Sequence, residues 1–397
     1  MERQPLFDNA KFAAVALVAC AHTWMPLLEK DRTVGAVVLT IAAFSMPVFI
    51  VLCGYFAHPS PTTTLAGEAS RQPSGRPGRP QVDGGRLLAQ VAVPYLVFQL
   101  LYNLVGMALE QRLQPIRLLE PRWLTWFLLS LLIWRLSVPL WTALRHPLPV
   151  AVLVAAGSGA LHAYPAELAF GRTIGFLPWF VLGLVLRPHH FELLHRRTVR
   201  ALAPLGLLSA FAAVWLAYPK LLNPAWVEYT ETAAQLGVGY PVWLAVKAAL
   251  GLLSLVATAS FLALLPARRL RWTSLGAASL YVYLLHGLPL KVLQASGVYH
   301  ARSLQHAWTA LPVYGGFALT LAVLLALPVS VRLFGPLVQP PIGWLLRRPA
   351  PPVPTSPDPA EAPASAPTPT RAERPAPRAG TAGPPPPGTP RPAPARH

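Results

Sequence analysis

One imidazole stands far inside an apolar run near the N-terminus: the stretch RQPLFDNAKFAAVALVACAH places Arg3, Asp8 and Lys11 ahead of His22. At ~1.5 Å per helical residue, His22 lies about 16 Å beyond Lys11, roughly half of a ~30 Å hydrocarbon layer. An ionisable side chain at such depth is a functional candidate. A neutral imidazole can take the proton of an attacking hydroxyl; the competing reading is a histidine that merely hydrogen-bonds a neighbouring helix. Asp8 sits about 21 Å away along the same helix, too far to orient the ring. It is expected to pair with Arg3 or Lys11, or to cap the helix. None of the confident spans carries a carboxylate, so the group that orients His22 is left open.

Four further positions combine polarity with an apolar setting. His286, in SLYVYLLHG, reaches a depth similar to that of His22 from the same side, with helix pairing as the alternative. Arg135 ends WFLLSLLIWR, ~18 Å inside the boundary marked by Trp123, on the side where Lys11 stands. A guanidinium there needs an anion or a bundle partner, unless it snorkels to the interface. Arg172 opens GRTIGFLPWFVLG near the opposite boundary, where an ordinary interfacial arginine is the alternative. Pro178, just after it, implies a kinked helix and a cavity. In FSMPVFIVLCGYF, Pro47 and Gly54 shape helix packing, and Tyr55 is a weaker site candidate.

The elements that must position these residues are membrane helices. Of 397 residues, 54% are hydrophobic and only 12% charged, about half the charge of an ordinary soluble domain. The mean hydropathy is +0.44. Apolar runs at roughly 12–28, 34–57, 87–108, 123–141, 147–163, 172–187, 201–218, 241–265, 275–296 and 309–334 predict an all-α, polytopic bundle of about ten spans. The runs at 147–163 and 172–187 are short. Every run is too continuous for an alternating barrel strand. The formal charge of +18 would suit a nucleic-acid binder, but the Lys and Arg are scattered through short loops, with no basic face. With the N-terminus inside, loops on that side carry about twice as many Lys and Arg as the others, which places both termini in the cytosol. The charged start reads as a retained anchor. Cys20 and Cys53 lie within apolar runs, so neither a disulfide framework nor a metal site is expected.

Two segments lack any apolar period. Residues 58–86 are dense in Pro, Gly and polar residues, and residues 347–397 form a Pro/Ala/Arg-rich tail; both are expected to be disordered. That leaves one transmembrane domain over 1–346.

Taken in order, these stretches resemble the acyltransferase 3 family of integral-membrane acyltransferases. Arg3, Asp8 and Lys11 fall where the family carries Arg, Asp and Arg, with Lys11 a small departure, and His22 follows at the family's spacing. FSMPVFIVLCGYF is similar to its second-helix MPLFFFLSGYF pattern, GRTIGFLPWFVLG to RT…FLPFFLLG, and SLYVYLLHG to its late YVYLLH. WFLLSLLIWR looks like the fourth-helix motif of fucose 4-O-acetylase-like members. The similarity runs from Arg3 to roughly Arg332. It implies transfer of an acyl group, usually acetyl from acetyl-CoA as co-substrate with no bound cofactor, to a hydroxyl of a carbohydrate or other exported acceptor at the cell membrane. His22 would act as general base or acyl carrier, with His286 beside it. Lys11 and Arg135 would hold the coenzyme A phosphates, while Arg172, Trp126 and Tyr55 would meet the acceptor; an aromatic belt is the alternative for Trp126. A secondary transporter with His and Arg in its substrate or proton path is the other class to weigh. The absence of internal repeats and of membrane-embedded carboxylates speaks against it.

Overall fold

Proline and glycine punctuate nearly every apolar run, and the helices begin and break where they stand. The computed structural model describes residues 4–57, 84–219, 222–341 and 388. Arg3, Lys220, most of the loop expected at 58–86 and nearly all of the tail expected at 347–397 lie outside the described residues. Gly84–Leu87 is the exception within that loop: it forms a helical turn that runs straight into the next span.

Among the described residues all regular structure is helical, and these helices belong to one compact unit, Met1–Pro349. The order is α1 (Pro5–Trp24), α2 (Arg32–Tyr55), α3 (Leu88–Glu110, opening with a π turn), α4 (Trp126–Ala143), α5 (Pro147–Ser158), α6 (Phe170–Gly175), α7 (Leu177–Val185), α8 (Pro188–Leu194), α9 (Arg197–Ala217), α10 (Pro224–Glu228), α11 (Tyr240–Leu264), α12 (Ser279–Leu285), α13 (Gly287–Ala295), α14 (Ala307–Ala326) and α15 (Pro328–Val338). Seven helices are long and apolar enough to cross a membrane, and nine spans result if each of two bent pairs counts as one. The run at 147–163 yields only the 12-residue α5, ~18 Å long and too short to cross by itself. Leu202, Leu205, Leu208 and Leu216 of α9 are exposed; their helical spacing makes a stripe suited to lipid. Seven to nine apolar spans make this a multi-pass membrane protein.

Each bent pair is two apolar helices joined at a sharp corner. The first turns by 53° between Glu167–Gly175 and Leu177–Val185, with Pro178 in the first turn after the break, as the proline predicts. The second turns by 41° between Thr273–Leu285 and Gly287–Ala295, and His286 is the residue at the corner.

The pieces are held by close packing on α1 and α2. α2 runs against α7 so tightly that two glycines meet: a Cβ on Gly54 would strike the Phe180 carbonyl, and one on Gly183 would strike the Val51 carbonyl and lie 2.9 Å from the Gly54 Cα. Only the absence of side chains permits this approach. At the start of α1, Asn9 is fully buried, and its amide donates to the carbonyls of Pro266 (2.8 Å) and Arg268 (3.1 Å). Its oxygen accepts from the Thr273 hydroxyl at 2.7 Å. One side chain thereby fastens the first span to the segment leading into the broken helix of His286.

Gly183→Val is expected to cost about 3 kcal/mol or more by overpacking backbone against backbone, read as a fall in the detergent-solubilised protein's unfolding midpoint. Gly157→Ala, whose new Cβ meets no atom within 4 Å, is expected to stay within about 0.5 kcal/mol of the parent.

Candidate active site

His22 falls in the last turn of α1, not half-way along the span. The helix already begins at Pro5 because its polar start is satisfied in place: Lys11 pairs with Asp8 at 3.5 Å, and Asn9 makes the bonds just described. From Pro5 to His22 is ~25 Å of helix. The Nδ1 atom of His22 is buried without a hydrogen-bond partner among the described residues.

A cavity of about 200 Å³ opens beside this ring, lined among others by Trp123, Trp126, Arg172, Phe176 and Glu228. Arg172 comes from α6, just before the first break, and ion-pairs with Glu228. Its guanidinium also lies 5.3 Å from the centre of the Trp126 ring, while Trp126 stacks on Phe176 at 5.5 Å. Glu228 ends the short helix α10, which is pinned from two sides. Asn223 caps its first turn, and the buried Lys247 ammonium donates to the Trp226 carbonyl at 2.5 Å while lying 4.1 Å from the Tyr229 ring centre. Arg172 and Glu228 therefore reach the cavity as a neutral pair.

His286 is fully buried, and its ring centre is 5.5 Å from that of His22. Its Nδ1 lies 2.8 Å from the Val282 carbonyl. A carbonyl only accepts, so the proton is assigned to Nδ1 and the lone pair of the neutral ring to Nε2. That Nε2 is buried and unpartnered among the described residues. Freed backbone at the corner is covered by a side chain: the Tyr102 hydroxyl donates to the Leu284 carbonyl at 2.8 Å.

Trp123 completes the wall, its ring 5.3 Å from His22 and nearly perpendicular to it. Its φ of 49° is in the left-handed region, rare for so bulky a residue. The segment that carries it is held by Gln99 of α3, which is fully buried. The Gln99 amide donates to the carbonyls of Arg117 (3.0 Å) and Glu120 (2.7 Å), and its oxygen accepts from the Arg122 amide (2.9 Å) and the Thr125 hydroxyl (2.6 Å).

The structure thus gathers His22, His286, Arg172 and Trp126 at one end of the bundle. Lys11 and Arg135 are elsewhere, and both lie close enough to Cys53, near the end of α2, to act on it electrostatically. Arg135 keeps a buried Nε without a partner among the described residues. Tyr55 does not join the cavity: it packs among Phe7, Phe56 and Phe191 at ring distances of 5.0–5.3 Å, and Lys11 lies over the neighbouring Phe56. Among the described residues, no group of three or more His, Cys, Asp or Glu is placed to hold a metal ion.

A family model described as an acyltransferase domain matches residues 5–327. The chain belongs to the acyltransferase 3 family. It is therefore a membrane-bound acyltransferase, an enzyme that takes an acyl donor and an acceptor. No curated protein and no solved structure matches it.

Three residues that line this acyltransferase's cavity or hold its wall are hard to find by hydropathy. Glu228 lies in the loop NPAWVEY between spans, where a carboxylate is unremarkable; the Asn-Pro cap signal shows a short helix but not that it turns inward. Trp123 resembles an ordinary boundary tryptophan, and nothing in its neighbours announces a positive φ. Gln99 is the most legible of the three, as a lone amide in the apolar run VPYLVFQLLY, where a polar side chain needs a partner.

Gln99→Leu is expected to leave two carbonyls and one amide of the Trp123 segment unpartnered, costing about 2 kcal/mol or more. The measurement is the unfolding midpoint together with proteolysis of the 111–122 loop, which should become faster while cleavage elsewhere is unchanged.

Proposed function

We propose that this acyltransferase moves an acetyl or other short acyl group from acyl-CoA to a hydroxyl of a carbohydrate or other exported acceptor, with His22 as the general base. One observation carries the reading: two imidazoles, each with a buried nitrogen unpartnered among the described residues, stand 5.5 Å apart beside a cavity in which the opposite charges of Arg172 and Glu228 are already paired. His22 takes the proton from the acceptor hydroxyl, whose oxygen attacks the thioester carbonyl. The C–S bond breaks, the ester forms, and the proton passes to the departing thiolate. Arg172 is the cation in reach of the oxyanion that develops. The Nε2 lone pair of His286 accepts a hydrogen bond from the hydroxyl or from protonated His22 and so holds the reacting groups in line.

The donor's charged part does not belong in this cavity. Arg135, with its unpartnered Nε, and Lys11 form the cationic end of the bundle, suited to phosphates. Placing that end toward the cytosol, where loop charge favours it, puts the His22 end toward the outer face. The reaction then joins a cytosolic donor to an acceptor from the other side.

His22→Ala is expected to lower kcat by about 10² or more at normal protein levels, and Arg135→Gln to raise KM for acetyl-CoA with little change in kcat. The assay follows labelled acetyl-CoA and a panel of sugars in purified membranes; full activity in His22→Ala overturns the assignment. In sealed vesicles of known orientation, acetyl-CoA on the cytosolic face is expected to acetylate an impermeant sugar confined to the other face. Product only when both share one compartment would demand a one-sided site.

A further inference from the structure

Trp123 has a second side. A cavity of about 210 Å³ lies against it, lined also by Tyr102, Glu110, Arg122, Lys291 and Gln294. Trp123 therefore forms part of the wall of both this space and the His22 cavity. The Lys291 ammonium is 4.7 Å from the centre of the indole, and the Tyr102 ring meets the same indole edge-on at 5.8 Å.

The charges here are unequal. Arg122 is committed: its guanidinium pairs with Glu110 at 2.6 Å and donates to Gln114 at 3.1 Å. Glu110 in turn also accepts from Gln114 at 3.0 Å. Lys291 has no hydrogen bond and no carboxylate within 4.0 Å among the described residues; its ammonium lies over the tryptophan ring, and the Arg122–Glu110 pair acts on it from farther off. A half-buried ammonium whose nearby carboxylate is already held by Arg122 favours a ligand that brings an anion of its own. The space is small beside the ~300–1,000 Å³ of sites for drug-sized ligands, so it suits one ring rather than a nucleotide. Aromatic Trp123 and Tyr102 offer that ring an apolar wall, while Gln294 and Arg122 offer polar edges.

We propose that the cavity behind Trp123 is an acceptor subsite for an acidic sugar, with Lys291 binding its carboxylate or phosphate and Trp123 separating it from His22. This rests on the acyl-transfer reading of the His22 cavity and names the acceptor's chemical class. The left-handed backbone at Trp123 is the strain that sets the indole between the two spaces. A hydroxyl next to the anchored ring reaches His22 only past that side chain.

The test is binding rather than turnover, so that it stands or falls apart from the role of His22. Full-length protein in nanodiscs of zwitterionic lipid, which keeps acidic headgroups out of competition, is titrated calorimetrically with glucuronate, glucose 6-phosphate and glucose. Acidic sugars are expected to bind at least tenfold more tightly than glucose, and the tighter of the two identifies the acid group preferred. Lys291→Gln should reduce that affinity at least tenfold, to the level of glucose. Lys291→Arg should retain it within a few-fold, which also shows that the site folds with a substituted side chain. Trp123→Ala should weaken all three sugars. Equal binding of acidic and neutral sugars, or acidic-sugar affinity unchanged in Lys291→Gln, overturns the proposal. His22→Ala, by contrast, should bind these sugars like the parent even as it loses turnover.

Discussion

In a hydrocarbon layer no water is present to satisfy backbone groups, so a helix can break there only where protein encloses the break. Two spans of this enzyme break, at Phe176 and at His286, and that constraint organises the rest. Side chains from other helices reach both corners. Trp134 of α4 donates its indole N–H to the Thr173 carbonyl at 2.9 Å, and Ser130 lies 2.7 Å from the Thr173 hydroxyl; Tyr102 covers Leu284 in the same way. Irregular backbone is thereby confined to the protein interior. Of the side chains at those corners, Arg172 lines the cavity beside His22 and His286 stands against the His22 ring.

α1 supplies the third member of that meeting and fixes its distance from the second. Asn9 ties the start of α1 to residues 266–273, and the backbone of Asp8 packs so closely on the following turn that a Cβ on Gly276 would strike the Asp8 carbonyl. α12 continues directly from that turn to His286. His22 and His286 are thus set by rigid helix on both sides, each anchored at the same junction near the start of α1. A pair of rings held this way keeps its geometry through packing and needs no direct bond between them.

Much of this was legible from residue types. Apolar runs, about ten of them, overlap each of the seven to nine candidate spans among the described residues, with the start of the first and the end of the last off by about two helical turns; Pro178 marks the first break, and the family spacing singles out His22 as a candidate. Depth was misjudged for a definite reason. Counting from Lys11 assumed that the charged start lies outside the helix, whereas Asp8, Asn9 and Lys11 find partners that let α1 begin at Pro5. The break at His286 has the same local signal, since Gly287 and Pro289 follow it and Pro289 has no N–H for the Leu285 carbonyl; the Tyr102 hydroxyl and the ring of His286 then cover carbonyls at the corner. Glu228 and Trp123 were out of reach because their roles depend on loops folding back over the bundle, held by Lys247 and Gln99. A hydropathy pattern does not encode such contacts.

The distribution of charge follows the same logic. Inside the His22 cavity the only ionised side chains, Arg172 and Glu228, neutralise each other, so the space receives neutral groups without an electrostatic penalty. Among the described residues, cations with unpartnered donors stand outside it, Arg135 near Cys53 and Lys291 behind Trp123. A thioester and a hydroxyl are both neutral, while the phosphates of a coenzyme and the acid group of a sugar are not. On the proposed reading, neutral reacting groups meet beside the two imidazoles, while the charged parts of the substrates find their cations outside that cavity.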